Sequence, residues 1–172
     1  MPITPTAIAE LRRPRPPAEP EGEPIAILLV DDDPDCRMLV RDAIEESRVK
    51  CRVFEASNGH EALDFLHGRG PHAGAPKPGL IYLDIEMPGL GGQDTLRAVR
   101  AMPAFRDTPV VMMTGVSDDA QMRLAAENGA NSYTLKPASA AQFLSTVLAS
   151  TNYWLTVHQY PHHRLSQEAC RR

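Results

Sequence analysis

The chain has 172 residues, a net charge of −4 and 5% aromatic residues, and this length is typical of one domain with room for tails. No apolar run approaches the roughly 20 residues that a membrane-spanning helix needs, so we expect a cytoplasmic protein that does not bind membranes. Basic residues form no stripe, which argues against binding to nucleic acid. The three cysteines are widely spaced and odd in number, which suits neither a disulfide framework nor a zinc site.

Residues 1–24 contain seven of the sixteen prolines, and this composition predicts a disordered, Pro-rich N-terminal tail. From residue 25 to residue 150, short apolar runs alternate with amphipathic stretches. The predicted strands are residues 25–30, 50–56, 80–84, 109–114 and 131–135. The predicted helices are residues 35–47, 59–67, 93–102, 118–128 and 138–150. This alternation predicts a parallel sheet with crossover helices.

Three consecutive carboxylates, Asp31, Asp32 and Asp33, follow the first predicted strand and repel one another. A helix start explains the third, with Asp33 as the N-cap and Pro34 at the first helical position. The first two still belong to the strand end and are not explained in this way. The usual partner of such a cluster is a divalent cation.

Reactive side chains follow several of the predicted strands. The C-terminal ends of parallel strands share one edge of the sheet, and this edge collects Asp31, Asp32, Asp84, Thr114 and Lys136. The three carboxylates make an oxygen-rich site suited to Mg²⁺. The hydroxyl and the ammonium can bind the oxygens of a phosphoryl group placed on a metal-bound carboxylate. The pattern therefore describes a phosphorylatable aspartate.

Four motifs, in this order and spacing, resemble the receiver domain of two-component response regulators: ILLVDDDPD, LIYLDIEMPG, VVMMTG and GANSYTLKP. The resemblance covers residues 25–150. It implies an α/β fold with a five-stranded parallel sheet in the flavodoxin-like order 2-1-3-4-5 and helices on both faces. One departure is Leu90-Gly91-Gly92, where many receivers have an acidic residue before a single glycine, and it puts the shape of that loop in doubt.

The resemblance also implies a role for each site residue. Asp84 is the phosphoacceptor and takes a phosphoryl group from a sensor histidine kinase, so the protein assists its own phosphorylation without being an enzyme. Mg²⁺ is held by Asp31, Asp32, Asp84 and the backbone carbonyl of Glu86. Thr114 is then the switch hydroxyl, Tyr133 is the switch aromatic residue, and Lys136 is the lysine that pairs with the phosphoryl group. A cis peptide between Lys136 and Pro137 is implied as well.

A narrower resemblance concerns the Gly- and Pro-rich loop at residues 68–79, the phrase GANSYTLKP and the ending NYWLTVHQYP. These features are similar to those of single-domain regulators that partner phytochrome kinases. The resemblance implies a sensor histidine kinase of the bacteriophytochrome type as the partner.

The C-terminal extension, residues 151–172, is apolar near residues 153–160. Its large apolar side chains are costly to leave in water, and they are Tyr153, Trp154, Leu155, Val157 and Tyr160. The segment can fold back on its own domain or cover the same patch of a second copy. We expect a homodimer that uses Trp154, Leu155 and Val157, with Trp154 as the anchor because tryptophan is enriched at interface hot spots.

Two other functions compete with this interpretation. Phosphatases of the haloacid dehalogenase type also use an aspartate nucleophile, an acid two residues later and Mg²⁺, and Asp84 and Glu86 mimic that pair. In that class, however, the nucleophile follows the first strand and the paired acids come last, whereas Asp31 and Asp32 precede Asp84. The other alternative is a receiver-like module that binds partners without phosphorylation, and the presence of every required side chain argues against it.

Overall fold

The computed structural model describes residues 23–47 and 49–157, and within these ranges five strands alternate with five α-helices. The strands are β1 (Ile25–Val30), β2 (Cys51–Ala56), β3 (Leu80–Asp84), β4 (Val110–Thr114) and β5 (Ser132–Leu135). The helices are α1 (Pro34–Glu45), α2 (Gly59–His67), α3 (Gly92–Ala101), α4 (Asp119–Glu127) and α5 (Ala140–Asn152). Short 3₁₀ turns span Gly70–His72 and Pro103–Phe105, and a π-helical turn spans Tyr153–Val157. The predicted elements are thus confirmed, with small differences at their ends.

The sheet is parallel throughout and has the order β2-β1-β3-β4-β5, which confirms the predicted flavodoxin-like arrangement. Val30 at the end of β1 lies opposite Leu83 of β3, and Asp84 lies opposite Met113 of β4. Thr114 at the end of β4 lies opposite Leu135 of β5. The residues that end or follow β1, β3, β4 and β5 therefore meet at one edge of the sheet.

The core consists of two apolar clusters, one on each face of the sheet, because successive strand residues point to opposite faces. The first lies between the sheet and helices α2, α3 and α4, and its buried members include Leu28, Leu83, Met112, Phe65 and Leu96. The second lies between the sheet and helices α1 and α5, and its buried members include Leu29, Tyr82, Val111, Val40 and Phe143. Helices therefore cover both faces, as predicted.

The first turn of α1 shows how the third carboxylate of the acidic run is used. The side chain of Asp33 accepts a hydrogen bond of 2.9 Å from the backbone N–H of Asp35, and Pro34 occupies the first helical position. Both features are favourable because the first N–H groups of a helix lack partners within the helix. The predicted N-cap is confirmed, and Asp31 and Asp32 remain at the end of the strand.

The start of the C-terminal extension folds back on its own domain. Trp154 is only 8% exposed and packs within the cluster that α1 and α5 form with the sheet, and Leu155 packs against the same cluster. This corrects the expectation that Trp154 anchors a dimer, because its apolar surface is already buried within the chain. Val157, in contrast, is 65% exposed. Tyr160 lies outside the described residues, as do all but the last two residues of the predicted tail 1–24.

Two further observations concern the backbone and the helices. The Lys136–Pro137 peptide is trans, because the described residues contain no cis peptide bond, and this corrects the expectation taken from the resemblance.

Among the same residues, no helix combines the length and the apolar character that crossing a bilayer requires.

Candidate functional site

Three carboxylates meet at the edge of the sheet where β1 and β3 end. Asp31 is fully buried, Asp84 is 3% exposed, and Asp32 is exposed. One carboxylate oxygen from each of them lies within 4.8 Å of the other two. Oxygen ligands at this spacing fit a divalent cation of the Mg²⁺ or Mn²⁺ type. The structure therefore brings together the acidic residues that the sequence predicts as metal ligands.

Lys136 connects two of these carboxylates. Its Nζ atom lies 2.6 Å from Oδ2 of Asp31 and 2.9 Å from Oδ1 of Asp84. Its backbone N–H donates a hydrogen bond of 2.7 Å to the carbonyl of Thr114, which holds the residue beside the end of β4. Burial works to lower the pKa of Lys136, but Asp31 and Asp84 outweigh this effect and raise the pKa above that of an ordinary lysine. The ammonium therefore stays charged at the centre of the site.

The carboxyl group of Asp84 has a raised pKa. Burial raises its pKa to about 6, and the charges of Asp31 and Asp32 act in the same direction, although Lys136 opposes them. Lys136 therefore only partly offsets the effects of burial and of the two neighbouring carboxylates. A divalent cation among these oxygens would supply the missing positive charge, and the donor set thus fits such an ion chemically.

The predicted switch pair lies on the two strands next to β3 in this half of the sheet: Thr114 ends β4, and Tyr133 lies within β5. The hydroxyl of Thr114 donates to the carbonyl of Val116 and accepts from its N–H, both at 3.2 Å. The Tyr133 ring packs against the core cluster under α2, α3 and α4. Its hydroxyl is buried and forms no hydrogen bond of good geometry within residues 23–47 and 49–157. Burial raises the pKa of the phenol, and the nearby Thr114 side chain opposes this effect. Neither switch role is tested by these contacts, and both stay predictions.

Glu86, whose backbone carbonyl is predicted as a metal ligand, lies two residues beyond β3 in the loop that leads to α3. Its side chain is exposed, and its Oε2 atom lies near the backbone of Gly115. This places the residue at the same edge of the sheet as Asp84 and Thr114. The role of its carbonyl stays a prediction.

Gly92 is a residue of the site that the sequence analysis did not identify. A Cβ atom built on Gly92 would lie 2.1 Å from the carbonyl oxygen of Asp84 and 2.8 Å from the Cα of Ile85. The first turn of α3 therefore packs directly on the backbone of the predicted phosphoacceptor, and only glycine leaves room for it. The unusual Leu90-Gly91-Gly92 sequence was the signal available for this contact.

Arg37 is a second residue that the sequence analysis did not identify. It lies on α1, six residues after Asp31, and one of its guanidinium nitrogens donates a hydrogen bond to the backbone carbonyl of Asp31. An arginine one turn into a helix gives no signal of this contact in sequence, because most such side chains are solvated.

Comparison with known proteins supports the same interpretation. The family model for the response regulator receiver domain matches residues 27–148. The probable methanogenesis regulatory protein FilR2 of Methanothrix harundinacea is 33% identical over 141 residues, which cover 81% of this chain and 89% of that protein. Response regulator Rcp1 of Synechocystis is 25% identical over 138 residues, which cover 80% of this chain and 94% of Rcp1.

Solved structures show the same likeness. The phosphorylated cyanobacterial phytochrome response regulator RcpA superposes with a TM-score of 0.77 and 27% identity, over 81% of this chain and 99% of that one. The Mn²⁺-bound form of Rcp1 gives a TM-score of 0.75 and 26% identity, over 80% of this chain and 99% of that one. The phosphatase alternative and the phosphorylation-independent module are not favoured by these matches. Because the family match extends over most of its length, the chain belongs to the response regulator receiver domain family.

Proposed function

We propose that Asp84 accepts a phosphoryl group from a phosphohistidine of a sensor histidine kinase. In this step an Asp84 carboxylate oxygen forms a bond to phosphorus while the bond between phosphorus and the histidine nitrogen breaks, leaving an acyl phosphate. The observation that carries the proposal is the contact of Lys136 with Asp84 at 2.9 Å beside two further carboxylates. Phosphoryl transfer depends mainly on positioning and on charge neutralisation. Lys136 contributes to both, and the carboxylates form the site for the cation that would complete the neutralisation.

The surrounding residues have separate tasks in this proposal. Lys136 is placed to pair with an oxygen of the phosphoryl group while it keeps its contact with Asp31. Thr114 would leave its contacts with Val116 and turn its hydroxyl toward another phosphoryl oxygen. The three carboxylates and the carbonyl of Glu86 would hold Mg²⁺, which would supply the charge neutralisation that a dianionic group needs. The Mn²⁺ in the Rcp1 structure supports a divalent ion here.

The switch that follows would be a shift between two packings of the same fold. Movement of Thr114 changes the space beside the buried hydroxyl of Tyr133 and so alters the surface formed by β5 and α4. NMR shifts of these two residues that are identical with and without beryllofluoride would contradict the switch. The protein would signal through this surface rather than act as an enzyme.

The proposal also includes the phosphoryl donor, the cytoplasmic location and the oligomeric state of the protein. The relatives RcpA and Rcp1 are a phytochrome response regulator and a response regulator, and this supports a sensor kinase of the bacteriophytochrome type as the phosphoryl donor to a cytoplasmic receiver. We also propose a homodimer that covers the exposed Val157 and the adjoining Leu155. Light scattering of the intact protein and of Val157→Asp tests this, and a monomer for the intact chain at tens of micromolar would refute it.

The decisive experiment measures phosphorylation of Asp84. The intact protein is incubated with acetyl phosphate and Mg²⁺, or with a phosphorylated histidine kinase, and the acyl phosphate is measured by mass spectrometry. Asp84→Asn should abolish labelling. Asp64→Asn serves as the matched control, because Asp64 is an exposed aspartate on α2 whose carboxylate lies 3.5 Å from Arg69 and is not part of the acidic cluster. Undiminished labelling of Asp84→Asn would refute the proposal.

A further inference from the structure

Arg37 joins three parts of the fold beside the acidic cluster. Its Nε donates to the Glu55 carboxylate at 3.0 Å, and its NH1 donates to the backbone carbonyl of Asp31 at 2.6 Å. The side chain is only 16% exposed. One guanidinium on α1 is thus bound to the strand β2 and to the peptide between Asp31 and Asp32, just beyond the end of β1.

Glu55 holds this guanidinium in place. Its second carboxylate oxygen accepts from NH1 of Arg41 at 2.8 Å, so that two arginines of α1 bind one acid of β2. Glu55 lies opposite Leu29 in the β1–β2 ladder, which places its backbone at a set distance from the end of β1. Among the residues that the structure describes, Arg41 pairs with Glu55 and makes no hydrogen bond or ion pair with the acidic cluster.

Asp32 is the acid that depends most on such support. Asp31 and Asp84 are each held by Lys136, and Asp31 also accepts a hydrogen bond from the N–H of Asp33 at 2.9 Å. Within the described part of the chain, the carboxylate of Asp32 has no hydrogen bond or ion pair. The position of this carboxylate therefore depends on the orientation of the Asp32 backbone and not on a hydrogen bond or ion pair of its own among the described residues.

The Asp31 carbonyl and the Asp32 nitrogen belong to the same planar peptide unit. A hydrogen bond that fixes this carbonyl also fixes the plane from which the Asp32 side chain starts. We propose that Arg37 is a positioning residue that orients the peptide between Asp31 and Asp32 and so keeps the Asp32 carboxylate grouped with the other two acids, where it would serve as a ligand of a divalent cation. The inference deepens the proposed function and depends on its metal site.

Electrostatics alone makes the opposite prediction. Arg37 is a positive charge close to a cation site, so its removal should strengthen metal binding by Coulomb's law. If the positioning effect dominates, removal should weaken binding instead. The sign of the change in affinity therefore separates the two explanations.

The test is calorimetric titration of the full-length, unphosphorylated protein with Mg²⁺ and with Mn²⁺. Arg37→Met should weaken binding by about tenfold, the size typical for loss of a residue that supports a metal ligand. Arg37→Lys keeps the charge but cannot reach both Glu55 and the carbonyl, and it should weaken binding in the same direction. Arg41→Met, the matched control, should bind both ions as the unaltered protein does.

Equal or tighter binding by Arg37→Met would overturn the inference, and if that variant does not fold, unchanged binding by Arg37→Lys would do so. The amide signal of Asp32 in NMR spectra gives a second readout, and it should shift in both Arg37 variants but not in Arg41→Met. Asp32→Ala separates this inference from the proposed function. If Asp32→Ala leaves metal affinity unchanged, the proposed metal site is wrong, whereas weak binding by Asp32→Ala together with normal binding by Arg37→Met refutes the role of Arg37 alone.

Discussion

Replacement of Asp84 by asparagine should stabilise the metal-free protein at pH 8. In the folded chain, burial raises the pKa of Asp84 from 3.8 to about 6. This difference of about two pH units, at about 1.4 kcal/mol for each, corresponds to about 3 kcal/mol. The ionised carboxylate therefore lowers the free energy of unfolding by up to this amount when no metal is bound.

The sign of the pH dependence follows from the raised pKa. Below pH 3.8 the carboxyl is protonated in both the folded and the unfolded state, and it does not change the free energy of unfolding. As the pH rises from 3.8 to 6, the unfolded chain loses its proton first, so the folded state loses stability, and above pH 6 the loss is complete. An asparagine does not titrate. We expect Asp84→Asn to gain about 1–3 kcal/mol at pH 8 and about half as much near pH 5.

Urea unfolding in the presence of EDTA measures this gain. Addition of Mg²⁺ should reduce or reverse it, because the ion stabilises the ionised acid of the unaltered protein by binding only its folded state. Asp64→Asn is again the control and should change stability little at either pH. A variant Asp84→Asn that is less stable than the unaltered protein at pH 8, or a gain independent of pH between 5 and 8, would refute the reasoning.

Three further substitutions test other parts of the structure by the same urea assay. Lys136→Met should destabilise the metal-free protein by about 3 kcal/mol or more, because it leaves two buried carboxylates without their cation; an equal loss with and without Mg²⁺ would contradict this. Trp154→Ala should lose about 3–5 kcal/mol at every protein concentration, and a loss confined to high concentrations would place Trp154 at an interface instead. Tyr133→Phe should be neutral or stabilising by up to about 1 kcal/mol, because the buried hydroxyl forms no hydrogen bond of good geometry in the described ranges. A clear loss of stability would show that the hydroxyl is satisfied.

The sequence by itself determined the fold and most members of the site. Hydrophobic patterning is local, and apolar runs that end in Asp31, Asp84 and Thr114 identify both the strands and their chemistry. Once the strands are parallel, their C-terminal ends must share an edge. The acids could therefore be assigned to one site without any knowledge of contacts between helices and the sheet.

Only the tertiary structure decided how the charges of the site are balanced. Lys136 follows β5 and is 105 residues from Asp31 in sequence, yet the two are joined by an ion pair. The contact of Arg37 with the Asp31 carbonyl likewise depends on how α1 crosses β1 and β2. The strand pattern places Lys136 at the same edge as the acids, but it does not predict these contacts, because the orientation of a long side chain is set by all of its neighbours.

The tertiary structure also decided which surface covers the side chain of Trp154. The sequence showed that this apolar side chain must be covered, but its own domain and a second copy satisfy that requirement equally well. The choice depends on whether α1 and α5 leave a space of the right shape beside the sheet. The structure has such a space, and Trp154 fills it. Composition sets the need to bury apolar surface, whereas the packing of distant elements decides which surface covers it.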